Sequence, residues 1–473
     1  MNDLEPSLLI DGRAVAPSRR AEVIDPADER PFASYPKATP EEIGRAVESA
    51  SRAFPSWSRD EAKRRQALAS CATSLLDAAD RIAGLICREQ GKPVGRARFE
   101  VENAARWFKY FAELEVTPEV VHRAADRVST LHLRPLGVVA AIPAWNFPVA
   151  LMAWKLAPAL RAGNTVVVKP SPFTPIASLA VGHLLASHFP AGVLNVLPGD
   201  GDAGDALTQH ADVRKISFTG STATGRRVFA SGAPSLKRVT LELGGNDAGI
   251  VLADADVAAV AEGIYNAAFV NCGQSCAAIK RLYVHASVHD RLVEALTAIA
   301  EGIRVGPGSD PQTQMGPISN AAQLARVEEL LADTKRRGAR IHTGGERLAR
   351  PGYFVRPTIV SAIADDARLV AEEQFGPVLP ILSFTDAADA VRRANDTTFG
   401  LNASVWTSDP EAATPVAAAL DVGTAWINQH SAMTPFLPYG GAKTSGVGVE
   451  HGIWGLREYA QSQLIDVKLP APR

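Results

Sequence analysis

Four cysteines in 473 residues are too few for a disulfide framework, which excludes the stapled secreted scaffolds and suits a reducing cytoplasm. Net charge is equally scarce. The 49 Lys and Arg nearly balance the 51 Asp and Glu, leaving −2, so the electrostatic footprint of non-specific nucleic-acid binding is missing. The basic runs "SRRAE" and "KRRGAR" are short, lie among acidic residues, and read as solvated helix faces. The N-terminal "MNDLEPSLLIDGRAV" has no positive segment ahead of an apolar one, so no secretory signal is read. Uninterrupted apolar runs are missing too. The longest candidate, "GVVAAIPAWNFPVALMAWKLAPAL", contains Pro143, Asn146, Pro148, Lys155 and Pro158, which divide it into strand, loop and helix. A soluble cytoplasmic protein with neither nucleic-acid nor membrane partners is expected. No internal repeat and no low-complexity linker stands out.

What the chain does have is length and alternation. At 473 residues, with 46% hydrophobic residues, it is too long for one ordinary core, and two or three domains are expected. "TPEEIGRAVESASRAFPSWS" predicts a helix with Thr39 as N-cap and Pro40 in its first turn. "DEAKRRQALASCATSLLDAADRIAGLICREQGK" continues as helix to Gly91, with Cys71 and Cys87 on its apolar stripe as packing residues. Residues 117–135 break the rhythm and predict a hairpin arm of the kind that pairs with another subunit. Thereafter strand and helix alternate: "GVVAAIP", "NTVVVKP", "GVLNVLP", "RKISFTG" and "RVTLELGG" are strands separated by helices. This predicts an α/β fold with a parallel, doubly wound sheet of the Rossmann type. The pattern resumes from "RLYVHASV" through "TAWINQ", which suggests a second α/β domain.

Three segments carry phosphate-binding potential. "GDGDAG", residues 199–204, follows a strand and precedes a helix, but the next strand lacks the acidic residue such a loop needs. "FTGSTATG" is the better candidate. Gly220 lets the chain turn, Ser221 and Thr222 can cap the next helix, and that helix N-terminus can face a phosphate. Lys169 ends the strand "VVVKP" at the carboxyl edge, where open α/β sheets bind ligands.

Cys272 and Cys276 pose the central question. A zinc site needs about four ligands, and no second Cys or His pair at ligand spacing follows, so no metal is expected. A disulfide does not suit a reducing compartment. One nucleophile and one bystander remain, both in a loop of small and polar residues. Position alone does not choose between them.

A longer set of motifs does. "AWNFP", "WKLAPALRAGNTVVVKPS", "FTGSTATG", "LELGGND", Phe269/Gly273/Gln274/Cys276 in "FVNCGQSC", "EEQFGPV", "FGLNASVW", "GTAWIN" and "GGAKTSGVGVE" run through nearly the whole chain. In that order they resemble the NAD(P)-dependent aldehyde dehydrogenase superfamily, most closely a bacterial subgroup of general aldehyde dehydrogenases. The resemblance implies that Cys276 is the nucleophile and Cys272 the bystander. It implies oxidation of an aldehyde to its acid through a thiohemiacetal and a thioester on Cys276. Asn146 and the Cys276 backbone N–H match the family's oxyanion hole, Glu242 its general base and Lys155 a proton-relay lysine. Among cofactor contacts, Trp145, Lys169, Gly220, Ser221 and Gly225 match the adenosine and phosphate side, and Glu373 and Phe375 the nicotinamide side. Phe147, Leu151, Trp154, Val270, Ser275, Ala277, Met433 and Tyr439 match the aldehyde tunnel. None is charged, so an uncharged aliphatic or aromatic aldehyde is expected rather than an anionic semialdehyde, which would want arginine.

Two departures from the family pattern stand out. Pro172 occupies the place of a glutamate that binds the adenine ribose and repels a 2′-phosphate, so NADP use beside NAD is expected. Ala144 replaces a proline before Trp145, which bears on loop stiffness. The resemblance also implies a dinucleotide-binding domain at 1–115 and 136–243 and a catalytic domain at 244–445. A small β oligomerisation arm at 116–135 and a C-terminal segment at 446–473 complete it, giving a homodimer or homotetramer. A CoA-acylating semialdehyde dehydrogenase is the alternative; such relatives usually lack the glutamate at 242.

Overall fold

The computed structural model describes residues 3–470. Five parallel strands form the centre of an eight-stranded sheet, in the order Leu194–Val196, Thr165–Val168, Val138–Ile142, Val213–Thr219, Arg238–Glu242. Their Val- and Ile-rich sequences are nearly all buried, as parallel strands covered on both faces must be. The first of these five in the chain, Val138–Ile142, lies in the middle; the chain winds outward from it to Leu194–Val196, then crosses back to Val213–Thr219. That reversal creates the crevice where doubly wound sheets bind ligands, beyond the carboxyl ends of the strands. Short antiparallel strands close both edges: Leu8–Ile10 beside Leu194–Val196, and Gly446–Val447 beside Arg238–Glu242.

A seven-stranded sheet follows, in the order Arg340–Thr343, Thr358–Ser361, Val378–Phe384, Arg281–His285, Ala248–Val251, Asn402–Trp406, Thr424–Ile427. All neighbours in it are parallel except the first pair. The chain crosses from Glu242, at the carboxyl end of one sheet, through Gly244 and Gly245 to Ala248, at the amino end of the other. The two sheet edges therefore meet at this crossover.

The third element is the expected arm. Glu119–Ala124, Arg127–Pro135 and Ala460–Lys468 form a three-stranded antiparallel ribbon. Val120, Val121, Leu464, Ile465 and Val467 are exposed on it.

Local signals account for much of the helical layer. Thr39 Oγ1 accepts the Glu42 N–H at 3.2 Å and Glu42 accepts the Thr39 N–H at 2.8 Å, a complete capping box for Pro40–Trp57. The expected long helix before Gly91 is two helices, Glu61–Asp77 and Ala79–Gln90, because Ala78 leaves helical geometry. Apolar periodicity runs through the break because Leu75, Ala79 and Ile82 all enter one core. Two buried acids then reach across layers. Glu89 accepts the Ile176 and Ala177 N–H groups at 2.7 and 2.9 Å, and Glu100 accepts those of Val149 and Ala150 at 2.9 and 3.2 Å. Each caps the N-terminus of a helix, Pro175–Ala186 and Pro148–Ala162, that has no side-chain cap of its own.

Candidate active site

Asn146, Lys169, Ser221 and Glu242 lie at or just beyond the carboxyl ends of four parallel strands, around the crevice of the first sheet. Cys276 comes from the other side, in the loop that leads into Arg281–His285. Gly273 adopts φ 70°, and Asn271 and Cys272 share that left-handed conformation, so the chain turns sharply before the nucleophile position. Gln274 secures the turn. Its amide donates to Asn271 O at 3.0 Å and accepts the Ser319 N–H at 2.8 Å. Lys280 ties the loop's other end by donating to Gly273 O at 2.8 Å.

The two cysteines are physically unlike. Cys272 is buried among Met315, Leu324 and Val327, and burial pushes its thiol far above the ordinary range. Cys276 is half-buried in the crevice. Its thiol is pushed up to about 12, first by burial and then by the carboxylates of Glu242, Asp247 and Glu373, with Lys280 acting against them. Cys276 thus shares its pocket with acids, and it needs a compensating positive field to ionise at neutral pH.

Asn146 is 4% exposed and donates its side-chain amide to Gln274 O at 3.1 Å, which leaves a second amide N–H for another acceptor. Lys92 holds its backbone. The buried ammonium donates to Asn146 O at 2.8 Å, pairs with Glu100 at 2.5 Å, and lies 3.9 Å from the centre of the Phe147 ring. The helix cap and the Asn146 loop are therefore one connected unit.

Glu242 is 3% exposed, and neither carboxylate oxygen has a hydrogen-bond partner. Burial, then the nearby Glu450 charge, raise its pKa well above the usual carboxylate value, with Lys155 opposing them. Lys155 pairs with Glu450 Oε1 at 2.8 Å, both side chains fully inside. Glu450 closes the quoted run "GGAKTSGVGVE" but received no role from the sequence. Its partner is 295 positions away, so no local signal could reveal the pair.

Glu373 accepts the Gly245 N–H at 3.0 Å, and burial raises it to about 7. Its Oε2 stands 2.4 Å from where a β-carbon on Gly244 would lie, so glycine is required there. Trp145 and Phe375 meet edge to face at 5.4 Å. Lys169 is buried and lowered to about 8 by that burial, with Asp200 and Asp202 opposing. Ser221 accepts the Thr224 N–H at 3.3 Å and caps Thr222–Gly232. Gly220 donates its N–H to Glu242 O at 3.0 Å, so the candidate phosphate turn and the candidate base share one hydrogen bond. Gly225 packs on Leu243 too closely for a β-carbon.

Phe147, Leu151 and Trp154 line up at the start of Pro148–Ala162, and Trp154 faces Tyr439 at 6.5 Å. Met433 and Cys276 pack on the cluster containing Tyr439. Ser275 and Ala277 flank Cys276 and are buried, while Val270 is half-buried one turn earlier. The sequence reading passed over Asp247, Lys280, His430 and His451, all buried around this pocket.

The aldehyde dehydrogenase family profile matches residues 14–465, and the chain belongs to that family. Phenylacetaldehyde dehydrogenase of Pseudomonas fluorescens is 39% identical over 458 residues, covering 93% of this chain and 91% of that one. Succinate-semialdehyde dehydrogenase [NADP(+)] of Escherichia coli K12 is 38% identical over 455 residues, covering 95% and 94%. An aldehyde dehydrogenase from Bacillus cereus, solved as its NAD+ complex, superposes with a TM-score of 0.96 at 34% identity, covering 98% of this chain and 97% of that one. The protein is thus an NAD(P)-dependent aldehyde dehydrogenase, which oxidises aldehydes to acids. Among the described residues no helix is long and apolar enough to cross a membrane.

Proposed function

We propose that Cys276 is the nucleophile in the oxidation of an uncharged aliphatic or aromatic aldehyde, with water releasing the acid. The observation that carries this reading is Glu242: a buried carboxyl with two unpartnered oxygens, close enough to Cys276 to raise its thiol. The Cys276 sulfur adds to the aldehyde carbon, and the new oxyanion is held by the Asn146 amide and the Cys276 N–H. Trp145, Lys169, Gly220, Ser221, Gly225, Glu373 and Phe375 hold the dinucleotide, which supplies the hydride acceptor when bound. Orphaned Thr219 Oγ1 and the weakly bonded Lys169 ammonium, at the carboxyl ends of the two strands that flank Val138–Ile142, suit such a polar ligand. Glu242 then takes a proton from the water that attacks the thioester carbonyl, and the Lys155–Glu450 pair moves that proton onward.

The apolar and aromatic pocket side chains favour an uncharged aldehyde. Pro172, which brings no charge to the adenosine end, favours use of NADP as well as NAD. The two sheets support a dinucleotide-binding part at 1–115 and 136–243 and a catalytic part at 244–445. The exposed apolar residues of the arm support homo-oligomers built through 116–135 and the C-terminal segment. Four free cysteines suit a cytoplasmic setting.

The test is the initial rate of reduced-cofactor formation on a panel of neutral and anionic aldehydes, with NAD and NADP, in wild type and Cys276→Ala. Acid formation on neutral aldehydes, lost in the variant, is expected. Thioester formation that turns over only with added CoA would instead favour the acylating alternative.

A further inference from the structure

A second buried acid–base pair lies beside Cys276, apart from the Glu242, Lys155 and Glu450 group. Asp247 is 2% exposed, and its carboxylate accepts the Asn402 backbone N–H at 3.1 Å and the Asn402 amide at 2.9 Å. From the other side His430 Nε2 stands 3.5 Å from Asp247 Oδ2, and both side chains are wholly shielded from solvent. Neither ring nitrogen of His430 has a hydrogen-bond partner. A buried imidazole in that state is expensive unless it shares a proton with the acid it faces.

Two contacts bring this pair to the nucleophile. Asp247 Oδ1 and Cys276 O crowd Gly245 together, at 2.7 and 2.6 Å from the place of its missing β-carbon. The Trp426 ring lies 4.9 Å from the His430 ring and belongs to the apolar cluster on which Cys276 packs. The loop carrying His430 is also strained, since Asn428 and Ser431 adopt φ 54° and 59°. It is clamped where it matters: the Ser431 hydroxyl donates to Ala277 O, on the residue after Cys276.

The charges around the thiol explain what such a pair does. Glu242, Asp247 and Glu373 face it as acids, and Lys280 faces it as a base. Tyr439 accepts a hydrogen bond from Asn402 at 3.2 Å, and Arg281 is held by backbone carbonyls of Asn246 and Ala394. A carboxylate buried beside a sulfur that must become anionic opposes its ionisation unless its own charge is met.

We propose that His430 and Asp247 share a proton that cancels the Asp247 charge beside Cys276, making His430 a positioning residue that sets the reactivity of the nucleophile. This rests on the assignment of Cys276 as nucleophile.

The test is the pH profile of iodoacetamide alkylation of Cys276 in the full-length, cofactor-free enzyme, with the modified site read by peptide mass spectrometry. His430→Gln leaves the Asp247 charge unmet beside the thiol, so alkylation at neutral pH falls about tenfold, one unit of thiol acidity. Asp247→Asn removes a charge that the shared proton already cancels, so alkylation stays near the wild-type rate. The double variant matches Asp247→Asn, because without the charge the imidazole has nothing to cancel. A second substitution that restores a lost rate does not arise from loosened packing. A His430→Gln profile that does not move, or a double variant as slow as His430→Gln, overturns the proposal. Should His430→Gln fail to fold, the double variant is compared with Asp247→Asn alone: equal rates support the pair, and a slower double variant overturns it. Alkylation requires neither aldehyde nor cofactor, so the pair can fail while aldehyde oxidation stands. Aldehyde oxidation surviving Cys276→Ala would instead remove the nucleophile assignment itself.

Discussion

The Lys155 ammonium lies 2.8 Å from Glu450 Oε1, and neither side chain reaches solvent. Glu242 sits close enough to feel both. One cation thus acts on two buried acids, and it restrains the upward shift of Glu242 that burial, and then Glu450, drives. Lys155→Met removes the restraint, so the limb of the pH–rate profile set by Glu242 moves to higher pH. It also breaks a buried pair and is expected to destabilise the fold by about 3–5 kcal/mol. Lys155→Met/Glu450→Gln, which leaves no unpaired charge, recovers part of that loss. Chemical unfolding and pH–rate profiles of the three forms check both expectations.

Glu242 supplies a separate prediction. Its folded-state pKa is raised, chiefly by burial, so the folded protein binds its proton more tightly than the unfolded chain does. The stability associated with that proton is fully present below the ordinary carboxylate range and is lost as pH rises toward the raised value. Glu242→Gln carries no such dependence. Its melting temperature relative to wild type therefore increases with pH from the ordinary carboxylate range up toward that raised value. Its turnover falls by about 10²–10⁴, the usual contribution of a general base. A melting difference that stays constant with pH would show that Glu242 is not buried uncharged.

The strand order and this carboxylate differ in how far the sequence reveals them. Short apolar runs separated by helical periods marked the five parallel strands of the first sheet but not its short edge strands, and Thr39 and Gly91 marked helix ends that the structure retains. The break at Ala78 escaped because periodicity reports which face is buried, not whether the axis is continuous. Cys276 became a candidate through motif order, since Cys272 sits in an equally suitable local run. Asp247 with His430, and Lys155 with Glu450, were invisible for another reason. Each pair joins segments far apart in the chain, and the burial that makes them consequential exists only after the two sheet edges meet.

Cofactor choice can be read at Pro172. A carboxylate restored there by Pro172→Glu repels a 2′-phosphate while accepting hydrogen bonds from a free ribose. The dissociation constant for NADP should rise on the order of tenfold, about 1.4 kcal/mol, with that for NAD little changed or improved. Fluorescence titration of both nucleotides into both proteins measures this without any turnover. Equal shifts for the two nucleotides would place Pro172 away from the ribose.

Gly273 sets the geometry on which the nucleophile depends. It holds φ 70° at the end of three successive left-handed residues, and a β-carbon on it would stand 2.1 Å from Gly376 O. Gly376 follows Glu373 and Phe375, so Gly273→Ala pushes the Cys276 loop and the proposed nicotinamide-side residues apart. Left-handed backbone alone costs a residue with a β-carbon about 1–2 kcal/mol, and the clash with a main-chain oxygen adds to it. The variant is therefore expected to lose more than about 2 kcal/mol of stability, with a lower kcat and a higher KM for the cofactor. Gly84 provides the opposite case. It lies inside the helix Ala79–Gln90, has no atom within 4 Å of its missing β-carbon, and carries no positive φ. Gly84→Ala should stabilise by about 0.5–1 kcal/mol and leave the kinetics unchanged. Thermal unfolding of the two alanine variants beside wild type decides the matter: the signs must differ, because the same added methyl meets a carbonyl in one place and open space in the other.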